Sequence, residues 1–214
     1  MEINNPNRKL VKEKIKVSAP ENKAEQLERL KIDYSRIKDH PFSDFSKNKI
    51  VFGCGNPDSP IIFLGEGPGR EEDLTGLPFV GRAGQLLTKI IEAMGLSREK
   101  VFITNVIKCR LPNNRPPTSE EIEIEKKLIL KKELKILSPK IICALGSSAM
   151  QALLGPNIRI SSARGRFFEI EGTKIMPTYH PAYLLRNPAA KVLVWSDMKK
   201  ILAELANLKI QIEK

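Results

Sequence analysis

A glycine-rich turn that directly follows an apolar run is the feature that most constrains the fold of this chain. Residues 61–64 read Ile-Ile-Phe-Leu, which is typical of a buried strand, and residues 65–69 then read Gly-Glu-Gly-Pro-Gly. Three glycines and a proline in five residues can neither extend a strand nor begin a helix, and glycine lets backbone amides approach a ligand closely. The turn therefore predicts a binding site at the end of a strand.

The segment beyond the turn supplies carboxylates and an aromatic ring. Glu66, Glu72 and Asp73 lie in or just after the turn, and Phe79 stands on a proline-led loop before an amphipathic helix pattern begins. A flat ring beside free amides suits a planar, polar ligand. The turn and this loop together predict a pocket for such a ligand.

Alternating strand and helix patterns predict an α/β fold. The predicted strands are residues 61–64, 101–105, 141–145 and 174–177. The predicted helices are residues 24–38, 84–94, 118–137, 147–154 and 192–208. We expect a single three-layer α/β/α domain over residues 24–214, built on a short, mainly parallel four-stranded sheet. Residues 1–23, rich in Asn, Lys, Glu and Pro, are expected to form a mobile basic tail.

Polar side chains follow three of the predicted strands where each strand ends. The glycine turn follows the first, Asn105 ends the second, and His180 follows the last. Because ligands of parallel sheets bind at the carboxyl ends of the strands, one crevice is expected to gather these groups.

Composition narrows the class of protein without naming it. The formal net charge is +11, with a pI near 9.6, which favours a polyanionic partner but also fits a surface of solvated lysines. No apolar run reaches the roughly 20 residues of a membrane span, and the first residues lack the apolar core of a signal peptide. Three cysteines, Cys54, Cys109 and Cys143, do not suggest a disulfide framework. We expect a cytoplasmic protein.

Several segments resemble, in order, the motifs of the family 4 uracil-DNA glycosylases over roughly residues 51–205. Residues 65–73 match a Gly-Glu-Gly-Pro-Gly turn with its acidic pair, and residues 76–84 read Gly-Leu-Pro-Phe-Val-Gly-Arg-Ala-Gly. Further matches are Ile-Thr-Asn-Val-Ile-Lys-Cys-Arg at 103–110, Asn-Arg at 114–115, Ala-Leu-Gly at 144–146, Arg-Gly at 164–165 and Pro-Thr-Tyr-His-Pro-Ala-Tyr-Leu-Leu-Arg at 177–186. One such motif alone is common, whereas the full set in register is specific.

The resemblance implies a uracil pocket in which Phe79 stacks on the base. The amide of Asn105 can donate to uracil O4 and accept from N3–H, a pattern that cytosine reverses. His180, as a neutral imidazole, can donate to O2 as negative charge develops there. The predicted substrate-binding residues are Glu66, Gly67, Pro68, Phe79, Asn105 and His180. Alternatives with a purely structural basis are a core phenylalanine, an asparagine cap and a histidine that caps the turn at Pro181.

The predicted catalytic residues are Glu66, His180 and Glu72. We favour Glu66 as the carboxylate that orients water and stabilises the cationic sugar, with Glu72 in support. In the uracil glycosylases with a Gly-Gln-Asp-Pro-Tyr turn, the acid that positions water falls where this chain has Gly67, so that role does not transfer. Glu72 and Asp73 can instead form a solvated pair that complements a helix dipole.

A basic surface around the pocket is expected to contact DNA. The sequence 184–186, Leu-Leu-Arg, resembles the family's wedge that enters the minor groove, with the leucine pair exposed. The predicted DNA-binding residues are Arg82, Arg115, Arg164, Leu184 and Arg186, and Arg166 is a further candidate for a phosphate contact.

The family pattern includes four cysteines that hold a four-iron, four-sulfur cluster, and this chain departs from it. Only Cys109 matches; the paired positions fall near Lys38 and Pro41, and the fourth falls at Glu125. We therefore predict that the cluster is absent, with Phe42, Phe45 and the charges of 125–132 filling its region and Cys143 in the core. A zinc site at His40, Cys109 and Glu125 is the alternative for this region.

The predicted function is hydrolysis of the N-glycosidic bond of uracil in DNA by a monofunctional, monomeric enzyme that leaves an abasic site. An inactive uracil-binding or DNA-binding module is the alternative, although Glu66, Phe79, Asn105 and His180 all remain. A relative that links itself covalently to DNA would need a histidine between residues 82 and 179, where there is none. A dinucleotide-binding turn would need glycine at position 70, which is arginine.

Overall fold

A computed structural model describes residues 22–37, 42, 50–210 and 212. Its strands are β1 (Cys54–Gly55), β2 (Ile61–Gly65), β3 (Phe102–Asn105), β4 (Ile141–Leu145), β5 (Phe168–Ile170) and β6 (Thr173–Thr178). They form one sheet in the order β1-β3-β2-β4-β6-β5. The four central strands are parallel, and each edge strand pairs antiparallel with its neighbour.

The four predicted strands are the parallel centre of this sheet, so the predicted α/β class is confirmed. The predicted sheet of four strands omitted the two edge strands. β5 and β6 form a hairpin whose two turn residues, Glu171 and Gly172, have φ values of +49° and +77°. Short edge strands of this kind carry no apolar run that would mark them in the sequence.

The helices are α1 (Lys23–Ser35), α2 (Arg70–Thr75), α3 (Arg82–Ala93), α4 (Ser119–Glu125), α5 (Lys131–Leu137), α6 (Ser147–Leu154), α7 (Ile160–Ala163), α8 (Pro181–Arg186) and α9 (Lys191–Asn207). A π-helical segment, Lys126–Leu130, joins α4 to α5, so the predicted helix 118–137 is one helical stretch with a widened turn. Thr118 and Glu121 form a capping box at its start. The short helices α2, α7 and α8 were not predicted.

Alternate residues of β2 pack on opposite faces of the sheet. Ile62 and Leu64 join a core cluster with residues of α1, α4, α5 and α6, whereas Ile61 and Phe63 join a second cluster with residues of α3 and α9. Helices therefore cover both faces, and the predicted three-layer arrangement is confirmed.

The predicted N-terminal tail lies, apart from Asn22 and Lys23, outside the described residues. Within the described ranges, none of the helices is long and apolar enough to cross a membrane.

Candidate active site

A pocket of about 610 Å³ opens at the carboxyl ends of the central strands. It lies among the turn after β2, the end of β3, the residues after β4 and the start of α8, as expected for a parallel sheet. All six predicted substrate-binding residues line it: Glu66, Gly67, Pro68, Phe79, Asn105 and His180.

Gly65 ends β2 beneath this pocket, and any side chain at this position would displace Asn105 or Phe79. A Cβ atom at Gly65 would lie 2.3 Å from Asn105 Oδ1 and 2.4 Å from Phe79 Cζ, closer than nonbonded atoms approach. The next residues stay beside β3, because the amides of Val106 and Ile107 donate to the carbonyls of Gly65 and Glu66 at 3.0 and 2.9 Å. Gly65 thus allows the side-chain amide of Asn105 and the ring of Phe79 to lie close together beneath the pocket.

Asn105 is buried at the end of β3, and its amide oxygen has no hydrogen-bond partner among the described residues. An unpaired buried acceptor costs about 1–3 kcal/mol unless a ligand supplies a donor. Its backbone carbonyl, in contrast, accepts a hydrogen bond of 2.8 Å from Lys108 Nζ. The backbone of Asn105 is therefore fixed from behind while its side chain retains an acceptor for a ligand in the pocket.

Phe79 is 6% exposed and belongs both to the second core cluster and to the pocket wall. Its ring centre lies 5.7 Å from that of His180, with 32° between the ring planes. The core interpretation of this residue is thus correct in part, since one side of the ring packs inward. The pocket still includes the ring, so a planar ligand can stack on it.

His180 caps the N-terminus of α8 through its Nδ1 atom, which accepts a hydrogen bond of 3.1 Å from the amide of Ala182. This contact leaves the proton of the neutral ring on Nε2. Burial, together with the positive charge of Arg186, lowers the pKa of His180 to about 4, while the negative charge of Glu72 opposes the change. His180 therefore has the capping role that was given above as the alternative. The same contact places the ring proton on Nε2, as a donor to uracil O2 requires.

Glu66 projects from the glycine turn into the pocket, and Ser148 Oγ donates to its Oε2 at 2.5 Å. Ser148 lies in the first turn of α6, and the sequence analysis missed it. Its position shortly after β4, at the edge where the other site residues lie, is the signal that could have identified it. Asp73 is not among the described residues that line the pocket, and its Oδ2 lies 3.8 Å from Arg110 Nη1.

Glu72 joins two loops of the pocket. Its Oε1 accepts hydrogen bonds from the amides of Val80 and Gly81 at 2.9 and 2.8 Å, and its Oε2 accepts one from Gly69 at 3.1 Å. Three backbone donors occupy the carboxylate, and the side chain is buried. These contacts hold the two loops to one carboxylate, and they contradict the alternative of a solvated residue.

Arg164, a predicted DNA contact, is anchored within the protein by α9. Its guanidinium pairs with the buried carboxylate of Asp197 and donates to the carbonyl of Leu193 at 2.8 Å. Burial raises the pKa of Asp197, whereas hydrogen bonding by Thr178 and the charge of Arg164 oppose that rise. Arg164 therefore holds the end of α7 to α9.

The other predicted cations differ in their surroundings. Arg115 pairs with both carboxylate oxygens of Glu121 at 2.8 and 2.6 Å, and this pairing lowers the pKa of Glu121. Arg82, Arg166 and Arg186 are exposed, and Arg186 lines the pocket. The exposed cations are the ones free to meet a phosphate.

The prediction of an exposed leucine pair is wrong at Leu184. That side chain is 1% exposed and packs in the second core cluster, because it lies on the inner face of α8. Its neighbour Leu185 is 39% exposed and Arg186 follows it at the surface. Leu185 is therefore the apolar side chain that α8 presents beside the pocket.

A buried hydrogen-bonded pair occupies the region where the family pattern has a cluster ligand. Glu125 is fully buried, and it accepts from Tyr34 Oη at 2.6 Å and from the amide of Lys108 at 3.2 Å. Burial and the charge of Glu125 hold the pKa of Tyr34 far above its ordinary value, and Cys109 lies beside the same hydroxyl. The acid thus ties α4 to α1 and to the segment after β3.

The cysteines do not fit a cluster with four thiolates. Cys54 lies on β1 and Cys143 on β4, where burial raises the pKa of both thiols, and Cys109 follows β3. The described part of the chain contains no group of three metal-binding side chains. Phe42 packs in the first core cluster, which also includes Cys109. The remaining predicted positions, Lys38, His40, Pro41 and Phe45, lie outside the described residues.

Comparison with known proteins agrees with this geometry. Residues 52–205 match the family model of the uracil DNA glycosylase superfamily. The type-4 uracil-DNA glycosylase of Thermotoga maritima is 45% identical over 159 residues, which are 72% of this chain and 82% of that protein. The type-4 enzyme of Archaeoglobus fulgidus is 43% identical over 73% of this chain and 82% of its own length. The type-4 enzyme of Saccharolobus solfataricus is 42% identical over 79% of this chain and 82% of its own length. This chain therefore belongs to the uracil DNA glycosylase superfamily and, within it, to the type-4 group.

Proposed function

We propose that this protein is a monofunctional uracil-DNA glycosylase that hydrolyses the N-glycosidic bond of a uracil flipped out of DNA. The observation that carries the proposal is the buried, unpartnered amide oxygen of Asn105 in a pocket lined by Phe79 and His180. A base can reach such a pocket only after it leaves the stack. The product is free uracil and an abasic site.

Recognition rests on the edge and the face of the base. Asn105 Oδ1 accepts from uracil N3–H and the Asn105 amide donates to O4, whereas cytosine presents an acceptor at N3 and a donor at C4. Phe79 stacks on the face of the ring. The same two residues therefore select a planar base and distinguish uracil from cytosine.

Catalysis rests on the charges that develop as the bond from N1 to C1′ breaks. The electron pair of that bond passes to uracil, and Nε2–H of neutral His180 donates to O2 as the negative charge grows. The lowered pKa of His180, about 4, keeps the ring neutral near pH 7, so it acts as a hydrogen-bond donor. Water then adds to C1′ and loses a proton, and the uracil anion takes up a proton at N1 to leave as free uracil.

Glu66 is the carboxylate that we assign to the sugar side of the reaction. Its negative charge stabilises the cationic sugar, and it orients the attacking water. The hydrogen bond from Ser148 at 2.5 Å supports this role because it fixes the orientation of the carboxylate. Glu72 contributes by positioning the loops on either side.

We also propose that the enzyme works without an iron-sulfur cluster. Support comes from the total of three cysteines and from the pair of Tyr34 and Glu125 in the region of a ligand. Iron analysis and the visible spectrum of the purified protein test this point. One equivalent of a four-iron cluster per chain would overturn it.

The partner is uracil-containing DNA, and we expect the protein to act on it as a cytoplasmic monomer. Exposed Arg82, Arg166 and Arg186 support phosphate contacts, and the net charge of +11 supports salt-dependent binding. Leu185 takes the place of Leu184 as the proposed wedge. The alternative of an inactive binding module receives no support from the pocket, where Glu66 and His180 both face the ligand space.

The deciding experiment uses labelled oligonucleotides that contain one uracil, single-stranded or opposite guanine or adenine, followed by alkali. Strand breakage at uracil, absent from a thymine control and lost in His180→Ala, is the expected result. Binding of the oligonucleotide without any breakage would favour the inactive module instead.

A further inference from the structure

Phe79 has a backbone conformation that a residue other than glycine rarely adopts. Its φ is +54°, in the left-handed region, where a side chain crowds the following carbonyl. Such a conformation persists only where the surroundings enforce it. The groups that hold this backbone therefore determine where the Phe79 ring lies.

Arg98 holds the carbonyl side of this loop from outside the pocket. Its Nη1 donates to the carbonyl of Phe79 at 3.0 Å and to Thr88 Oγ1 at 3.2 Å, and its Nη2 donates to the carbonyl of Pro78 at 2.8 Å. The planar guanidinium suits two neighbouring carbonyls because its donors form a rigid fork. Arg98 is partly buried between α3 and β3.

Glu72 holds the amide side of the same loop. Its carboxylate accepts from the amides of Val80 and Gly81, so backbone groups of four consecutive residues, 78–81, bind to two charged side chains. Helix α3 closes the third side, because a Cβ at Gly84 would lie 2.0 Å from the Phe79 carbonyl. The loop is thus restrained from three directions.

We infer that Arg98 is a positioning residue for base capture, which holds the Phe79 ring in the orientation that stacks on uracil. Arg98 is not among the described residues that line the pocket, so it acts through Phe79 and does not touch the base. The inference rests on the proposed function, since it assigns Arg98 a part in binding the substrate of that reaction.

A double-mutant cycle tests the inference. Arg98→Met keeps an apolar stem but removes the donors, and it is measured alone and combined with Phe79→Leu. We expect Arg98→Met to lower kcat/KM on a single-stranded uracil oligonucleotide by about 10- to 100-fold, the scale of a small displacement of a positioning group. In the Phe79→Leu background the same change is expected to cost less than about twofold, because the ring on which Arg98 acts is absent.

Further measurements separate positioning from stability. Arg98→Lys, which retains the charge but not the fork, is expected to recover part of the lost kcat/KM and covers the case in which Arg98→Met does not fold. Lys100→Met removes a positive charge two residues away and is expected to leave kcat/KM within about twofold. Affinity for free uracil is expected to fall in parallel with kcat/KM in the Arg98 variants.

Two outcomes in the variants would overturn the inference. In the first, Arg98→Met lowers kcat/KM by the same factor in the wild-type protein and in the Phe79→Leu variant. In the second, Arg98→Met lowers Tm but leaves kcat/KM and the affinity for uracil unchanged. The wild-type protein provides the separate check of the proposed function. If the wild-type protein binds uracil but does not cleave uracil-containing DNA, the proposed function fails, and the double-mutant cycle is completed with uracil affinities in place of kcat/KM. If the wild-type protein neither binds uracil nor cleaves the DNA, both the inference and the proposed function fail.

Discussion

Lys108 Nζ lies 2.7 Å from Glu133 Oε2 and 2.8 Å from the backbone carbonyl of Asn105, with no part of the lysine exposed. Its third donor bond goes to Thr104 Oγ1 at 2.7 Å, so all three ammonium protons are paired. A buried ion pair therefore lies directly behind the residue that we assign to base recognition. The same lysine thus pairs with Glu133 and fixes the backbone of Asn105, so the stability of this edge of the sheet and the position of Asn105 depend on one set of contacts.

Lys108→Met should destabilise the protein strongly. The change leaves Glu133 buried and without its cation, which typically costs about 3–5 kcal/mol in the free energy of unfolding. Urea denaturation of the variant and of the wild type measures this loss. Adding Glu133→Gln should recover part of it because the uncompensated charge is removed, and a loss below about 1 kcal/mol would contradict the buried pair.

Asn105→Asp should weaken discrimination between uracil and cytosine. An ionised carboxylate offers only acceptors, which meet the amino group of cytosine but repel O4 of uracil. We expect kcat/KM for uracil to fall by at least about 100-fold and the ratio of uracil to cytosine excision to fall with it. Parallel assays on oligonucleotides that contain either base measure the ratio.

The control for that variant is Asn113→Asp. Asn113 is exposed and lies outside the pocket lining, and aspartate tolerates its positive φ of +54°. It should behave as the wild type. An unchanged ratio in Asn105→Asp would remove Asn105 from base recognition.

The fold and the outline of the pocket could be predicted from the sequence, because both depend on local patterns. β-branched apolar runs mark the central strands, and Asn105 ends one strand while His180 follows another that ends at the same edge. The environments of Glu72 and Leu184 could not be predicted in the same way. Glu72 bonds to amides eight and nine residues away, and the burial of Leu184 depends on how α8 rotates against the core.

The other contacts that could not be predicted join residues that lie far apart in the sequence. Ser148 meets Glu66 across 82 residues, and Tyr34 meets Glu125 across 91. Such pairs follow from the order of strands in the sheet, and a single sequence contains no local signal for that order. They become visible only when the topology is known.

His180 should make folding stability depend on pH in the acidic range. Its pKa is lowered to about 4 in the folded state, so between about pH 6.5 and 4 the unfolded chain binds more protons. The contribution of His180 to stability is therefore complete above pH 6.5 and declines as pH falls towards 4. From pH 7 to pH 5 the wild type should lose about 2 kcal/mol more than His180→Asn, measured by urea denaturation. Equal losses in the two proteins would show that the imidazole titrates normally.

Glu125→Gln should destabilise the protein without a change at the pocket. The amide cannot accept from both Tyr34 Oη and the Lys108 amide, so one buried donor loses its partner, at about 1–3 kcal/mol. Glu123→Gln, an exposed change on the same helix, should remain within about 0.5 kcal/mol. Thermal unfolding of both variants is the measurement, and equal Tm values would exclude a structural role for the buried acid.

Leu185→Ala should lower activity and Leu184→Ala should lower stability, because Leu185 faces solvent and Leu184 faces the core. Leu185 is 39% exposed beside the pocket, so its loss should lower kcat/KM on double-stranded DNA by about tenfold and leave the single-stranded rate unchanged. A flipped base leaves a gap only in a duplex, which is why the substrates differ. Leu184→Ala should instead cost about 2–5 kcal/mol of stability, because it opens a cavity in the core. A matched loss on both substrates in Leu185→Ala would show that Leu185 is not a wedge.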